Sequence, residues 1–304
     1  MAQSTLLRAI IAGIVTNFLF LSFALMAFTP LPILFVGLSW GVRTALLAAL
    51  AFFGIGAALT GPNLAITAAI VFILPGLFLL FLALERYQDD DHILHFKPVD
   101  RLLYWVLGIA GGVTSFIFIS QAGAPGGLPG LMGQRIAAEP ELLNLLADIG
   151  NADMNIEKAT LVSQYLLAIT PAVWALTLIG NIILAQSLST RYRLNIRPSP
   201  AYGQFDLPKS FVLLAGIGFA SSFLLTGWYS VLAAALTGLI VFAYFLLGLA
   251  TIHVLTRGLS ARTFLLVVLY LCLLTFPWAF LLIGIFGLLE TNFAFRARQQ
   301  NKGK

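Results

Sequence analysis

The sequence predicts an all-α fold, a polytopic transmembrane helical bundle of about eight or nine spans, with about seven as the lower count. Three observations predict it. Hydrophobic residues make up 60% of the 304 residues and charged residues only 10%. The mean hydropathy is +0.97. Charged residues lie between long apolar runs rather than inside them. A bilayer core needs about 20 apolar residues per helical crossing, so crossings and short connections use up the chain. One integral membrane domain, 1–304, is expected, with no room for a separate soluble domain.

The N-terminal helices occupy 6–84. A first span from Leu6 to Phe28 should close at Thr29-Pro30-Leu31-Pro32, because proline cannot continue the hydrogen-bond ladder. The stretch before it has no basic n-region, so an uncleaved first helix is expected. Ile33 to Trp40 is a short apolar run that Arg43 separates from a second one ending near Leu59. It reads either as a short span or as half of one tilted helix with Arg43 buried. Leu64 to Leu84 is a clear span that Pro75-Gly76 should kink. Residues 85–101 form a polar loop.

A span over 102–122 follows, and then Gly123 to Gly133, whose glycines and prolines read as a flexible loop. Leu142, Leu143, Leu145, Leu146 and Ile149, with acids between them, give a short amphipathic helix at the membrane surface that completes the segment 123–160. The C-terminal helices cover 161–290: Leu161 to Leu188, broken by Pro171, then Phe211 to Thr226, Ser230 to Leu255, and Thr263 to Leu289 with Pro277 inside it. A polar loop, Thr190 to Lys209, separates the first of these from the rest. Residues 291–304 are a basic tail.

Short loops rich in Lys and Arg resist translocation. With Arg8 cytoplasmic and four crossings before residue 85, Arg43, the loops 85–101 and 188–209, and Arg257 and Arg262 are cytoplasmic. That places eleven of the seventeen basic residues inside and residues 123–160 outside. The tail, with Arg296, Arg298, Lys302 and Lys304, conflicts if the final run crosses once. Either that run turns back at Pro277 or the helix count is odd elsewhere.

The net charge of +5 is scattered over short loops. It therefore points to anionic lipid head groups in the bilayer and not to nucleic acid. Cys272 is the single cysteine, which excludes an intramolecular disulfide and leaves it a packing residue. All twelve acids fall in loops or at span ends, so no mid-membrane carboxylate is available to couple an ion gradient. Asp89, Asp90, Asp91, His92 and His95 are the densest set of metal-ligand types, read as a solvated linker with no metal. No second acidic cluster accompanies them, as intramembrane prenyl transfer would need. Gly-x-Ser-x-Gly, His-Glu-x-x-His and P-loop patterns are absent, so no enzyme activity, catalytic residue or cofactor is expected. His253, near a span end, reads as a satisfied interfacial histidine. Gly37 and Gly41 permit close helix approach. Neutral polar residues inside the spans are the remaining candidates for a site. Asn17, Gln121 and Asn181 are the chosen substrate-binding set, since such groups either hydrogen-bond between helices or line a site for a neutral solute. The glycine-rich segment beside Gln121 would then close over the solute.

Two segments carry a family resemblance. One is Tyr192 to Pro208, a polar loop that leaves through Phe205-Asp206-Leu207-Pro208. The other is Gly287 to Arg296, which reads Gly-Leu-Leu-Glu-Thr-Asn-Phe-Ala-Phe-Arg. Together they resemble the YybS-like family of bacterial polytopic membrane proteins of unknown function, itself distantly similar to the S components of energy-coupling-factor transporters. Where that family's terminal motif carries aspartate this chain has Glu290, which keeps the charge. The resemblance implies the bacterial inner (plasma) membrane and a non-enzymatic component that binds a small neutral solute while an energising protein partner drives transport. The alternative is a membrane scaffold or regulator that organises envelope or signalling partners without transport.

Overall fold

Apolar runs become helices here because a backbone in lipid must satisfy its own N–H and C=O groups. The structure, a computed structural model, describes residues 2–88, 94–96, 98–150, 155–199 and 205–302. The helices are α1 (Ala2–Leu21), α2 (Leu31–Trp40), α3 (Val42–Thr60), α4 (Pro62–Ala68), α5 (Leu74–Leu84), α6 (Val99–Ser120), α7 (Gly127–Ala138), α8 (Pro140–Gly150), α9 (Ile156–Arg191), α10 (Ser210–Leu224), α11 (Trp228–Leu255), α12 (Arg262–Thr275), α13 (Ala279–Phe293) and α14 (Phe295–Lys302). Among the described residues seven helical stretches are long and apolar enough to cross a membrane, and α10, α12 and α13 are shorter apolar helices. The all-α polytopic class is therefore as expected. The described chain divides into two compact units, 1–106 with 175–201, and 107–174 with 202–304.

In the first unit α1, α2, α3 and α5 bury Ala9, Ala12, Ile33, Leu34, Leu38, Ala45, Ala48, Phe52 and Leu80 in one core. Small residues let α1 and α3 approach closely, and a Cβ added to Gly13 would stand 2.7 Å from the Cβ of Ala51. The first crossing is shorter than expected. α1 ends at Leu21, a 3-10 turn covers Phe23–Phe28, and Pro30 and Pro32 open α2 instead of closing the first span. Proline is tolerated in a first helical turn because the N–H it lacks has no intrahelical acceptor there. α2 and α3 are separate helices joined at Gly41, whose φ of +93° suits only glycine, and Arg43 is exposed. Pro75 is accommodated by a π-helical turn, Ala69–Ile73, in the preceding residues. Within the polar loop a two-stranded antiparallel hairpin appears, β1 (Arg86–Gln88) with β2 (Leu94–Phe96) and Tyr87 opposite His95. Asp89 to His92 lie outside the described residues, while His95 is exposed on β2.

In the second unit α11 is the central helix. α10 turns into it through Leu225–Gly227, and a Cβ on Gly218 would collide with the Thr237 hydroxyl. α13 packs on its other flank. Gly284 lies against Val241 and Phe245, Gly287 meets Tyr244 and Gly248, and Phe280 stacks on Phe245 at 3.8 Å. Residue numbers rise together in both helices, so α11 and α13 are parallel. α12 must therefore run back between them. α12 has 14 residues and α13 has 15, about 21–22 Å each, short of the roughly 30 Å hydrocarbon core. The pair is a hairpin with Pro277 at its tip. The last apolar run turns back at Pro277, the first of the two alternatives.

Two expectations are corrected in this unit. The glycine- and proline-rich segment is helical from Gly127 and forms α7 rather than a flexible loop. Pro129 sits in the first turn of α7, and the glycines serve close approach: a Cβ on Gly130 would strike the Pro125 carbonyl, and one on Gly133 the Thr160 side chain. α9 runs unbroken through Pro171 over 36 residues. Beside the proline the Thr170 hydroxyl donates to the Leu166 carbonyl at 2.6 Å. α8 is the amphipathic helix expected, with Leu142 and Leu145 exposed.

Candidate functional site

The candidate solute-binding residues have separate employments. Asn17, buried on α1, donates both amide hydrogens to carbonyls, Gly13 O and Phe52 O, each at 3.0 Å, and so clamps α1 to α3. Gly56 leaves it room, since a Cβ there would stand 2.8 Å from Asn17 Oδ1. Asn181, buried on α9, donates to Ala27 O at 2.8 Å and to Thr177 O at 2.7 Å. Its Oδ1 is buried without a hydrogen-bond partner, as is the hydroxyl of Thr16. Gln121, in the other unit, is half-exposed and reaches only the neighbouring Ser120 hydroxyl, at 3.4 Å. Within the first unit Asn17 and Asn181 do not hydrogen-bond to each other.

The organised polar chemistry lies elsewhere, in the two segments that carry the family resemblance. In the first unit the chain after α9 turns at Arg193 with φ +57° and lies across the ends of α2 and α5. Ile196 N–H donates to Leu38 O at 3.0 Å, and Ser39 and Ser189 share a hydrogen bond of 3.0 Å. Arg197 is buried. Its Nη1 donates to Ala83 O at 3.0 Å, its guanidinium stands 5.8 Å from the Phe96 ring centre, and its carbonyl accepts from Gln186 and Asn195. At the same end the Arg8 guanidinium lies over the Trp40 ring at 4.5 Å.

In the second unit Glu290 and Arg296 form a buried ion pair, Nε to Oε1 at 2.7 Å. The Glu290 carboxylate also accepts the backbone N–H groups of Phe295 (2.9 Å) and Arg296 (3.3 Å), which caps the corner where Ala294 takes φ +49°. Arg296 Nη1 donates to Phe205 O at 2.8 Å, and its Nη2 is 3.8 Å from Asp206. The exit of the first segment is thus fastened to the end of the second. Glu290 is at a span end, as read, but it is buried and paired. Asn17 and Asn181 were identifiable from their place inside spans; Arg197 and Arg296 were not, because a charge in a loop reads as solvated. Only the resemblance flagged their segments.

These arrangements hold chain segments together through charge-assisted bonds. Among the described residues no three His, Cys, Asp or Glu side chains gather as a metal ion requires. His253 Nε2 is engaged by the Tyr270 hydroxyl at 2.8 Å, which ties α12 to α11. Beside that link one face of α12, from Arg262 to Leu274, lies open.

Comparisons with curated proteins and with solved structures returned no match. Over residues 6–291 the chain matches the family model described as "Predicted membrane protein (DUF2232)", and it belongs to that family of membrane proteins.

Proposed function

We propose that the protein is a non-enzymatic membrane scaffold that positions another membrane-embedded protein, in a bacterial plasma membrane with its cation-rich ends cytoplasmic. The observation that carries this reading is how its in-span polar groups are used. Asn17 and Asn181 each donate one hydrogen bond to a carbonyl of another segment, Phe52 O and Ala27 O, and one to a carbonyl of their own helix, a pattern of fastening between segments. α10 buries no residue at all, and Gly108 and Gly112 of α6 are exposed with open space where a Cβ would point. Such surfaces suit helices of a second chain. Cation sorting supports the orientation within each unit: Arg8, Arg43, Arg86 and Arg197 share one end of the first, and Lys209, Arg257, Arg262 and Arg296 one end of the second.

A solute-binding component of a transport system, the role implied by likeness to S components, is the second reading. The unpartnered Asn181 Oδ1 and Thr16 hydroxyl favour it, because a solute offering a donor would satisfy them. Two measurements separate the readings. A Gly112→Cys protein in its native membrane should form a defined cross-link to one membrane protein. The purified protein should show no thermal shift with small metabolites. A reproducible shift that Asn181→Ala abolishes, without a cross-link, would replace the scaffold by the solute binder.

A further inference from the structure

The hairpin of α12 and α13 turns inside the hydrocarbon. Gly284 beside Val241 and Phe245, and Gly287 beside Tyr244 and Gly248, fix the register of α13 on α11 and put Trp278 level with Thr237. By the rise of an α-helix that level is about 14 Å from Trp228 and about 27 Å from Leu255, the two ends of α11. α11 is about 40 Å long, and the hydrocarbon is about 30 Å thick. Whether the excess length projects from one end of α11, from the other or from both, that level stays within the hydrocarbon.

The turn is neither helical nor covered. Thr275, Phe276, Pro277 and Trp278 are all exposed, Trp278 by 58%. Phe276 N–H donates to Cys272 O, Ala279 N–H to Phe276 O and Phe280 N–H to Pro277 O. Pro277 has no N–H to return to Leu273 O. Among the described residues neither N–H of Trp278 has an acceptor, and the carbonyls of Leu273, Leu274 and Thr275 at the end of α12 have no donor. Lipid offers no hydrogen bond, so irregular backbone at this depth persists only where protein or enclosed water covers it. The cover of this tip is therefore not lipid.

Two features select a second copy of this chain as that cover. A regular membrane helix satisfies its own backbone and has only side chains to offer, whereas another tip brings both unused N–H donors and unused carbonyl acceptors, the groups that this tip lacks. Two copies inserted in the same sense and related by a two-fold axis along the membrane normal also hold their tips at one depth, and a two-fold contact asks for a self-complementary surface. We propose that the tip, Thr275 to Trp278, is the contact of a two-fold dimer, in which the N–H groups of each Trp278 donate to the carbonyls at the end of α12 in the other copy. The pairing goes beyond the scaffold reading and does not depend on it.

The test uses the full chain in a Cys272→Ala background. Copies carrying donor or acceptor dyes on Arg298→Cys are mixed in lipid vesicles at falling protein-to-lipid ratios, and energy transfer reports the dimer. The parent associates. Trp278→Phe, which keeps an aromatic ring but removes one indole N–H from each copy, weakens association about tenfold, as the loss of two hydrogen bonds between membrane helices should. In native membranes under mild oxidation, Thr275→Cys forms a disulfide-linked dimer, whereas Leu213→Cys on α10, 67% exposed, does not. Energy transfer no greater than random proximity gives, or an unaltered association of Trp278→Phe, overturns the proposal. Equal disulfide yields at the two cysteines overturn it as well, because they would mark chance collision. A Thr275→Cys disulfide to a different membrane protein in place of a second copy would assign the tip to that protein and overturn the dimer.

Discussion

α12 and α13 are the two arms of one hairpin, nearly equal in length and both apolar, yet α13 buries Ala279, Ile283, Gly284, Gly287 and Glu290 while α12 buries none of its residues. The difference lies in side-chain size. α13 carries Gly284 and Gly287 on the face that meets α11; α12 is built of leucine, valine, phenylalanine and tyrosine and has neither glycine nor alanine anywhere. In lipid a leucine gains little by leaving the hydrocarbon, so apolarity does not choose a partner. Backbone approach does, and it needs small residues.

The largest expected effect concerns the hairpin itself. In a Cys272→Ala background, Leu259→Cys before α12 and Arg298→Cys in α14 should label with an impermeant thiol reagent from the same side of the membrane. If the last apolar run crossed fully, the two would label from opposite sides.

The fastening at the far end of α13 comes next. Glu290→Ala leaves the Arg296 guanidinium buried without its counter-ion, a change worth about 3–5 kcal/mol. Asp206, whose side chain is 70% exposed and 3.8 Å from Arg296, should cost no more than about 1 kcal/mol when replaced by Asn. Denaturant unfolding of the purified variants measures both, and equal losses would show that burial does not set the strength of this cluster.

Two glycines on α13 then sharpen the size argument. A Cβ on Gly287 would fall on the Tyr244 carbonyl, whereas one on Gly284 would stand an ordinary 3.5 Å from Val241. Gly287→Ala should destabilise by about 1–3 kcal/mol through forced separation of α11 and α13. Gly284→Ala should be neutral or stabilise by up to about 1 kcal/mol, since alanine is the better helix former. Thermal unfolding of the two variants in one detergent compares them directly.

Much of the hairpin was legible in the sequence. Pro277 in the middle of an apolar run, with basic residues on both flanks, leaves turning back as one of two solutions, and the parallel register of α11 and α13 selects it. What stayed hidden is whatever depends on approach rather than hydropathy. A helix apolar on every side has no periodicity to show which face is buried, so Asn17 and Asn181 could be placed inside spans but not assigned to Phe52 and Ala27. Gly127, Gly130 and Gly133 looked like loop residues because glycine's use as a contact point is invisible until its neighbour, here Trp228, Pro125 or Thr160, is known. Arg197 and Arg296 looked solvated because their acceptors, Ala83 O and Phe205 O, are backbone atoms 114 and 91 residues away.

The smallest expected effect is the most direct test of the comparison. Leu271 and Leu274 of α12 are 55% and 84% exposed, whereas Leu247 of α11 is fully buried. Truncating an exposed leucine in lipid opens no cavity, and detergent or lipid replaces the lost methyl contacts, so Leu271→Ala and Leu274→Ala should each stay within about 0.5 kcal/mol of the parent. Leu247→Ala leaves a void between packed helices, and its cost should fall toward the low end of the roughly 2–5 kcal/mol known for soluble cores, because the transfer part of that cost vanishes in a bilayer. Unfolding of the three variants in the same detergent gives the ordering. A loss at Leu271 comparable to that at Leu247 would mean that α12 has a packing partner in the isolated protein, and that the contrast with α13 is not one of side-chain size.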